Sequence, residues 1–94
     1  MARRQLAGRK VIRKHEHEFD WGSFSIRYRV YGGRIRACTI MTSCDDLIPT
    51  LVLQERLSDV VALGSTMAHV VNETIADSLI RDELVAWLKN EITL

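Results

Sequence analysis

Apolar and polar residues alternate strictly from Ser23 to Tyr31, and this period of two is the clearest local signal in the chain. Phe24, Ile26, Tyr28 and Val30 fall on one side of an extended segment; Ser25, Arg27, Arg29 and Tyr31 fall on the other. Gly32-Gly33 follows, a pair that accepts the positive φ angles of a two-residue primed turn. Arg34–Met41 then returns as the second strand of an antiparallel β-hairpin. An unbroken two-residue turn sets Val30 opposite Ile35, Tyr28 opposite Ala37, Ile26 opposite Thr39 and Phe24 opposite Met41, and this face is predicted to be the core. The reverse face pairs Tyr31 with Arg34, Arg29 with Arg36, Arg27 with Cys38 and Ser25 with Ile40. A slip of one residue would invert the assignments, so they stand together.

After Thr42 the period becomes helical. Asp45 and Asp46 offer caps and Pro49 suits a first helical turn, with Leu53, Leu57, Val60 and Val61 as a stripe that Gly64 ends. A third strand over Thr50–Gln54 is the alternative. Ser65 can cap a second helix that turns Met67, Val70, Val71, Thr74 and Ile75 inward. A third starts at Asp77 or Ser78 and buries Ile80, Leu84, Trp87 and Leu88, with Asp82, Lys89 and Asn90 outward. Neither Gly nor Pro separates these two helices, so one continuous helix is the alternative. The predicted fold class is α+β: an antiparallel β-hairpin, with or without a third strand, packed against two or three amphipathic C-terminal helices.

Charge changes this picture by dividing it. Residues 1–36 carry ten basic side chains against three acids, a local balance of +7; residues 37–94 carry three against nine, a balance of −6, within a formal total of +1. Residues 1–14 hold Arg3, Arg4, Arg9, Lys10, Arg13 and Lys14 with no acid and few core-forming side chains. Ordering them would cost about 1–2 kcal/mol of backbone entropy per residue, so 1–14 is read as a mobile basic arm or a frayed first element, and 15–94 as a single α+β domain. Phe19 and Trp21 are the residues expected to anchor the arm. A 94-residue chain buries enough surface to fold without staples. Two cysteines, Cys38 and Cys44, are too few for a disulfide scaffold. With no apolar h-region after the basic start and no apolar run of membrane-spanning length, the expectation is a soluble, cytoplasmic protein without a membrane partner.

Candidate chemistry concentrates on the hairpin. Arg27, Arg29, Arg34 and Arg36 project from one face with Tyr31 near the tip. Opposed like charges on neighbouring strands are destabilising, so Arg29 against Arg36 calls for an acidic neighbour. Guanidinium groups in an array match phosphate oxygens, and Tyr31 can stack on a base. In the register above Cys38 faces Arg27 and Arg36, which would favour its thiolate, but no positioned base accompanies it. His15-Glu16-His17-Glu18 sets two imidazoles on one side of an extended segment. A structural zinc site needs four ligands, and neither C-x-x-C nor H-x-x-x-H occurs. His69 and Glu73 can pair at i, i+4 on the second helix. No catalytic, metal or cofactor site is assigned.

The succession of an arginine-rich stretch, a Gly-Gly hairpin (SIRYRVYGGRIRACTIMT) and an acidic helical end (DSLIRDELVAWLKNEI) resembles short uncharacterised proteobacterial proteins grouped as families of unknown function. The resemblance implies a bacterial protein and no particular activity, and it carries over no functional residues. The functional expectation is a small non-enzymatic binding module. It would contact nucleic acid or another polyanion through Arg27, Arg29, Tyr31, Arg34 and Arg36, assisted by the basic arm. The alternative is a protein-protein interaction or homo-oligomerisation module that uses the acidic helical surface.

Overall fold

Three antiparallel strands lie in chain order across one sheet: β1 (Val11–Phe19), β2 (Gly22–Tyr31) and β3 (Arg34–Thr42). Three helices follow, α1 (Thr50–Leu57), α2 (Gly64–Thr74) and α3 (Ser78–Glu91), and the class is α+β. The computed structural model of the protein describes residues 11–92, so Arg3, Arg4, Arg9 and Lys10 lie outside the described residues. Arg13 and Lys14 do not belong to an arm: Val11–Lys14 form the first half of β1, paired with Arg27–Val30 of β2. The sheet's third strand is therefore N-terminal to the hairpin, and Thr50–Gln54 opens a helix instead.

The predicted glycine turn is present, with φ of 64° at Gly32 and 77° at Gly33. Val30 faces Ile35 as expected, and then the register shifts. Between the Val30–Ile35 and Tyr28–Cys38 pairs β2 has one residue, Arg29, whereas β3 has two, Arg36 and Ala37. This β-bulge moves every later residue of β3 to the other face. Tyr28 lies opposite Cys38, Ile26 opposite Ile40 and Phe24 opposite Thr42, while Arg27 meets Thr39 and Ser25 meets Met41. The predicted pairs beyond Ile35 are thus displaced by one. The gain is plain in burial: Ile40 is 5% exposed and Met41 68%. The bulge lets a strand with isoleucine at positions 35 and 40, an odd spacing, bury both.

The helices cover the face made by Phe24, Ile26, Tyr28, Ile35 and Ile40. Each contributes residues one turn apart: Leu53 and Leu57 from α1, Met67 and Val71 from α2, and Ile80, Leu84 and Leu88 from α3. Burying each of these large side chains contributes about 1.5–3 kcal/mol before entropy is set against it. Capping differs from the sequence expectation in two places. Pro49 is the N-cap of α1 with no side-chain bond, and α2 starts one residue early, at Gly64, without a cap from Ser65. For α3 the Asp77 side chain accepts from the Ile80 N–H at 3.0 Å, which separates it from α2. No helix among the described residues is long and apolar enough to cross a membrane.

Gly64 does not end a helix; it brings α2 against the last turn of α3. Its N–H donates to the Ile92 carbonyl at 3.0 Å, and a Cβ here would run into the Leu88 and Ile92 carbonyl oxygens. Those atoms are backbone and cannot swing aside. Gly64→Ala should lower unfolding free energy by about 1–3 kcal/mol despite alanine's better helix propensity, read as a fall in the urea midpoint. An unchanged or higher midpoint would show that the two helices slide apart without cost.

Candidate interaction surface

The sheet's open face carries Ile12, Lys14, Glu16 and Glu18 from β1, Ser23, Ser25, Arg27, Arg29 and Tyr31 from β2, and Ala37, Thr39 and Met41 from β3. The bulge alters the arginine array predicted on it. Arg36 is not set squarely against Arg29; its Nη1 donates to Asp59 Oδ1 at 2.7 Å. Arg34 donates from Nη1 to the Asp59 carbonyl at 2.9 Å. Asp59 holds a left-handed φ of 71°, a conformation aspartate tolerates better than most residues. It sits in a segment that closes the edge of β3. The Asp59 N–H donates to the Ile35 carbonyl, the Ile35 N–H to the Val60 carbonyl, and the Ala62 N–H to the Gly33 carbonyl. Farther along, the Ile40 N–H is taken by Gln54 Oε1 at 2.8 Å. The acidic neighbour that the arginines required is therefore within the chain for Arg36, while Arg34 is held by the backbone carbonyl of the same residue.

Arg27 and Arg29 remain on the open face, beside a hollow of about 140 Å³ that Ile12, Ala37 and Thr39 also line. A larger, open concavity of about 970 Å³ lies toward the other end of the face, among Lys14, Glu16, Glu18, Ser23, Ser25 and Met41. Tyr31 is 44% exposed at the hairpin tip. Arg27, Arg29 and Tyr31 are thus brought to one surface, while Arg34 and Arg36 are held along the β3 edge.

On the inner face, β1 supplies a feature that sequence reasoning did not find. His15 Nδ1 lies 3.2 Å from Glu91 Oε2 of α3, and its Nε2 lies 3.0 Å from the Tyr28 hydroxyl. The two ring nitrogens bridge the carboxylate and the phenol, which gives the hydroxyl of a buried tyrosine its partner. Tyr28 is 1% exposed, so the chain Glu91–His15–Tyr28 tethers α3 to two strands and leaves no room for a substrate at the phenol. The sequence signal was available: a tyrosine on a core face needs a partner for its hydroxyl. His17 does not join His15 at a ligand site; it packs with Phe19 and Trp87 at ring centroid distances of 4.6 and 5.9 Å. Trp21 stacks on Phe19 and donates from Nε1 to Glu83 Oε1 at 3.1 Å. His69 Nε2 and Glu73 Oε2 are 3.3 Å apart on α2, as expected.

Cys38 lies on the core side of the sheet, half-buried, and not among the arginines. Burial pushes its thiol up to about 11, the reverse of an activated nucleophile. Cys44 is also raised, by partial desolvation and then by the carboxylates of Asp46, Asp77 and Asp45. Burial raises the Tyr28 hydroxyl as well, partly opposed by the Arg13 cation.

No protein-family model matches the chain, and no curated protein sequence matches it. Among solved structures, it is similar to the crystal structure of P. falciparum LipL1 in complex with lipoate, with a TM-score of 0.68 and 16% sequence identity. The likeness covers 83% of this chain and 24% of LipL1. At that identity it establishes a shared fold, and this chain corresponds to about a quarter of the other protein.

The raised thiol and phenol have a common consequence for stability. The unfolded chain ionises Cys38 near the ordinary 9.0, whereas the folded one holds it neutral toward about 11. Its contribution is intact below the lower value and is lost as pH rises between the two. Tyr28 acts in the same direction from its ordinary 10.0 upward. In a Cys44→Ser variant, alkylation of Cys38 should reach half its limiting rate near pH 11, and the urea midpoint should fall as pH rises above 9. Half-maximal alkylation at the pH of a free thiol would contradict the inward placement of Cys38.

Proposed function

We propose that this chain is a small non-enzymatic binding module that docks beside a larger protein unit, of the kind represented by lipoate-complexed LipL1. The observation that carries the reading is coverage: a fold that occupies most of this chain makes up about a quarter of LipL1. Two features of the surface support it. Met41, Leu47, Leu51 and Val52, from the end of β3 to the first turn of α1, are 68%, 46%, 76% and 47% exposed, so this stretch of chain offers four apolar side chains to a protein partner. The broad concavity on the sheet is open, and Lys14, Glu16 and Glu18 line it beside Phe24 and Met41, whereas small-molecule sites are enclosed enough to bury most of their ligand. The module's role is then to supply surface to its partner, and lipoate binding belongs to the larger unit.

Arg27 and Arg29 support a second reading, contact with a nucleic acid or other polyanion. Both point from the open face, and neither is ion-paired among the described residues. With Arg34 and Arg36 engaged by Asp59, few phosphates would be neutralised, so binding would be weak, with a shallow salt slope set by the two remaining arginines.

An NMR titration of ¹⁵N-labelled protein separates these readings. Free lipoate should leave the spectrum unchanged. A lipoate-binding protein lacking this fold should shift resonances around Met41, Leu47, Leu51 and Val52. Saturable shifts with lipoate alone, or none with the protein titrant, would overturn the docking reading. Shifts confined to Arg27 and Arg29 with single-stranded RNA, weakened about tenfold between low and physiological salt, would favour the polyanion instead.

A further inference from the structure

The two edges of the sheet are finished differently. Segment 59–62 and Gln54 occupy the outer edge of β3, whereas no strand pairs with the outer edge of β1 among the described residues. The two-residue turn at Asp20–Trp21 makes Phe19 and Gly22 a hydrogen-bonded pair. By alternation, Val11, Arg13, His15 and His17 also bond to β2, and Ile12, Lys14, Glu16 and Glu18 direct their N–H and C=O groups away from it. This is a template for another strand.

We propose that the edge takes the β1 strand of a second copy, antiparallel about a two-fold axis at His15, joining two sheets into one of six strands. The pairing concerns the edge opposite to β3 and α1 and does not depend on how that side is used. Three arguments select this occupant and this register. Along β1 the charges run from basic to acidic, Arg13 and Lys14 before Glu16 and Glu18, which is self-complementary when the strand meets itself reversed. A two-fold at His15 sets Lys14 opposite Glu16 twice. A two-fold at residue 14 would set Lys14 against Lys14 with no compensating pair, and one at residue 16 would keep Lys14 opposite Glu18 but force Glu16 against Glu16, so the axis at His15 is the one of the three that opposes lysine to glutamate without opposing either to itself.

Hydrogen bonding agrees with this choice. With the axis at His15, the directly opposed residues Lys14–Glu16 and Ile12–Glu18 are those whose backbone groups point outward, so each pair exchanges two bonds. In one copy Lys14 Nζ and Glu16 Oε1 are 3.8 Å apart, with both side chains more than half exposed. They are free to turn toward a second copy.

Shape supplies the third argument. Glu83 reaches Trp21, Trp87 reaches Phe19 and His17, and Glu91 reaches His15. Helix α3 therefore runs back over the His15–Phe19 half of β1 and ends there, leaving Val11 40% exposed on the same face. The two-fold at His15 sets the half that α3 covers in one copy beside the half it leaves open in the other. Val11 then meets Phe19 of the second copy, and Arg13 meets His17. The two helices fall on opposite sides of the axis.

Sedimentation equilibrium of the whole chain from about 1 µM to about 1 mM tests the proposal. Wild type should dimerise reversibly, and the amides of Ile12, Lys14, Glu16 and Glu18 should gain exchange protection only as dimer forms. Lys14→Glu and Glu16→Lys should each raise the dimer Kd at least about tenfold, because each turns two attractive pairs into repulsive ones. An equimolar mixture of the two variants should dimerise like wild type, since one variant then carries acids at both positions and meets bases at both positions of the other. A wild-type monomer at the highest concentration would overturn the proposal. So would a dimer whose Kd ignores both reversals or whose β1 amides stay unprotected.

Discussion

The extra residue in β3 governs what the rest of the molecule can do. Without a bulge at Arg36 and Ala37, the turn at Gly32-Gly33 would carry Met41, Thr39 and Ala37 into the core and leave Ile40 on the open face. With it, Ile35 and Ile40 are both buried, and the isoleucines have an apolar environment on either side of the kink. The bulge also frees Arg36 from Arg29. Cross-strand repulsion between two guanidinium groups is replaced by a direct pair with Asp59. That pair is exposed and contributes at most about 1 kcal/mol; its consequence is geometric. It secures segment 59–62, whose backbone closes the β3 edge.

Much of this was legible from the residues, and the failures have physical causes. The alternation of β2, the glycine turn and the leucine spacing of α3 report directly on which face is buried, because apolar burial dominates their placement. A bulge leaves no mark in composition: it is chosen by the gain from burying Ile40, which only the folded sheet expresses. β1 was hidden for another reason. As an edge strand it carries charge on both faces, and a pattern search sees only Val11, Ile12 and Phe19 as apolar. What makes it a strand is long-range, namely the backbone of β2 on one side and the contacts of His15, His17 and Phe19 with α3.

The arginine surface divides along the same line. Arg27 and Arg29 were legible as solvent-facing residues of an alternating strand. Arg34 and Arg36 follow a different rule, since their partner lies 23 to 25 residues away in sequence, where no spacing argument reaches. Cys38 inherits its inertness from the same bulge: a single inward turn converts a thiol expected among cations into one whose ionisation burial opposes.

The charge asymmetry of the chain is therefore only partly spent within the fold. Arg36–Asp59 joins the basic and acidic halves by an ion pair and Glu91–His15 by a hydrogen bond, but they leave most of the split intact. Surface pairs of this kind add little stability in water, whereas charges arranged along an edge or a face decide which surfaces meet and in what register. The sheet has one edge closed by its own chain and one edge whose charges reverse sign midway. An edge with uniform charge would repel its own copy, and an uncharged one would pair in any register. Reversal at a single residue is the arrangement that both permits pairing and favours the register centred on the reversal, so β1 carries information that the stability of the monomer does not require.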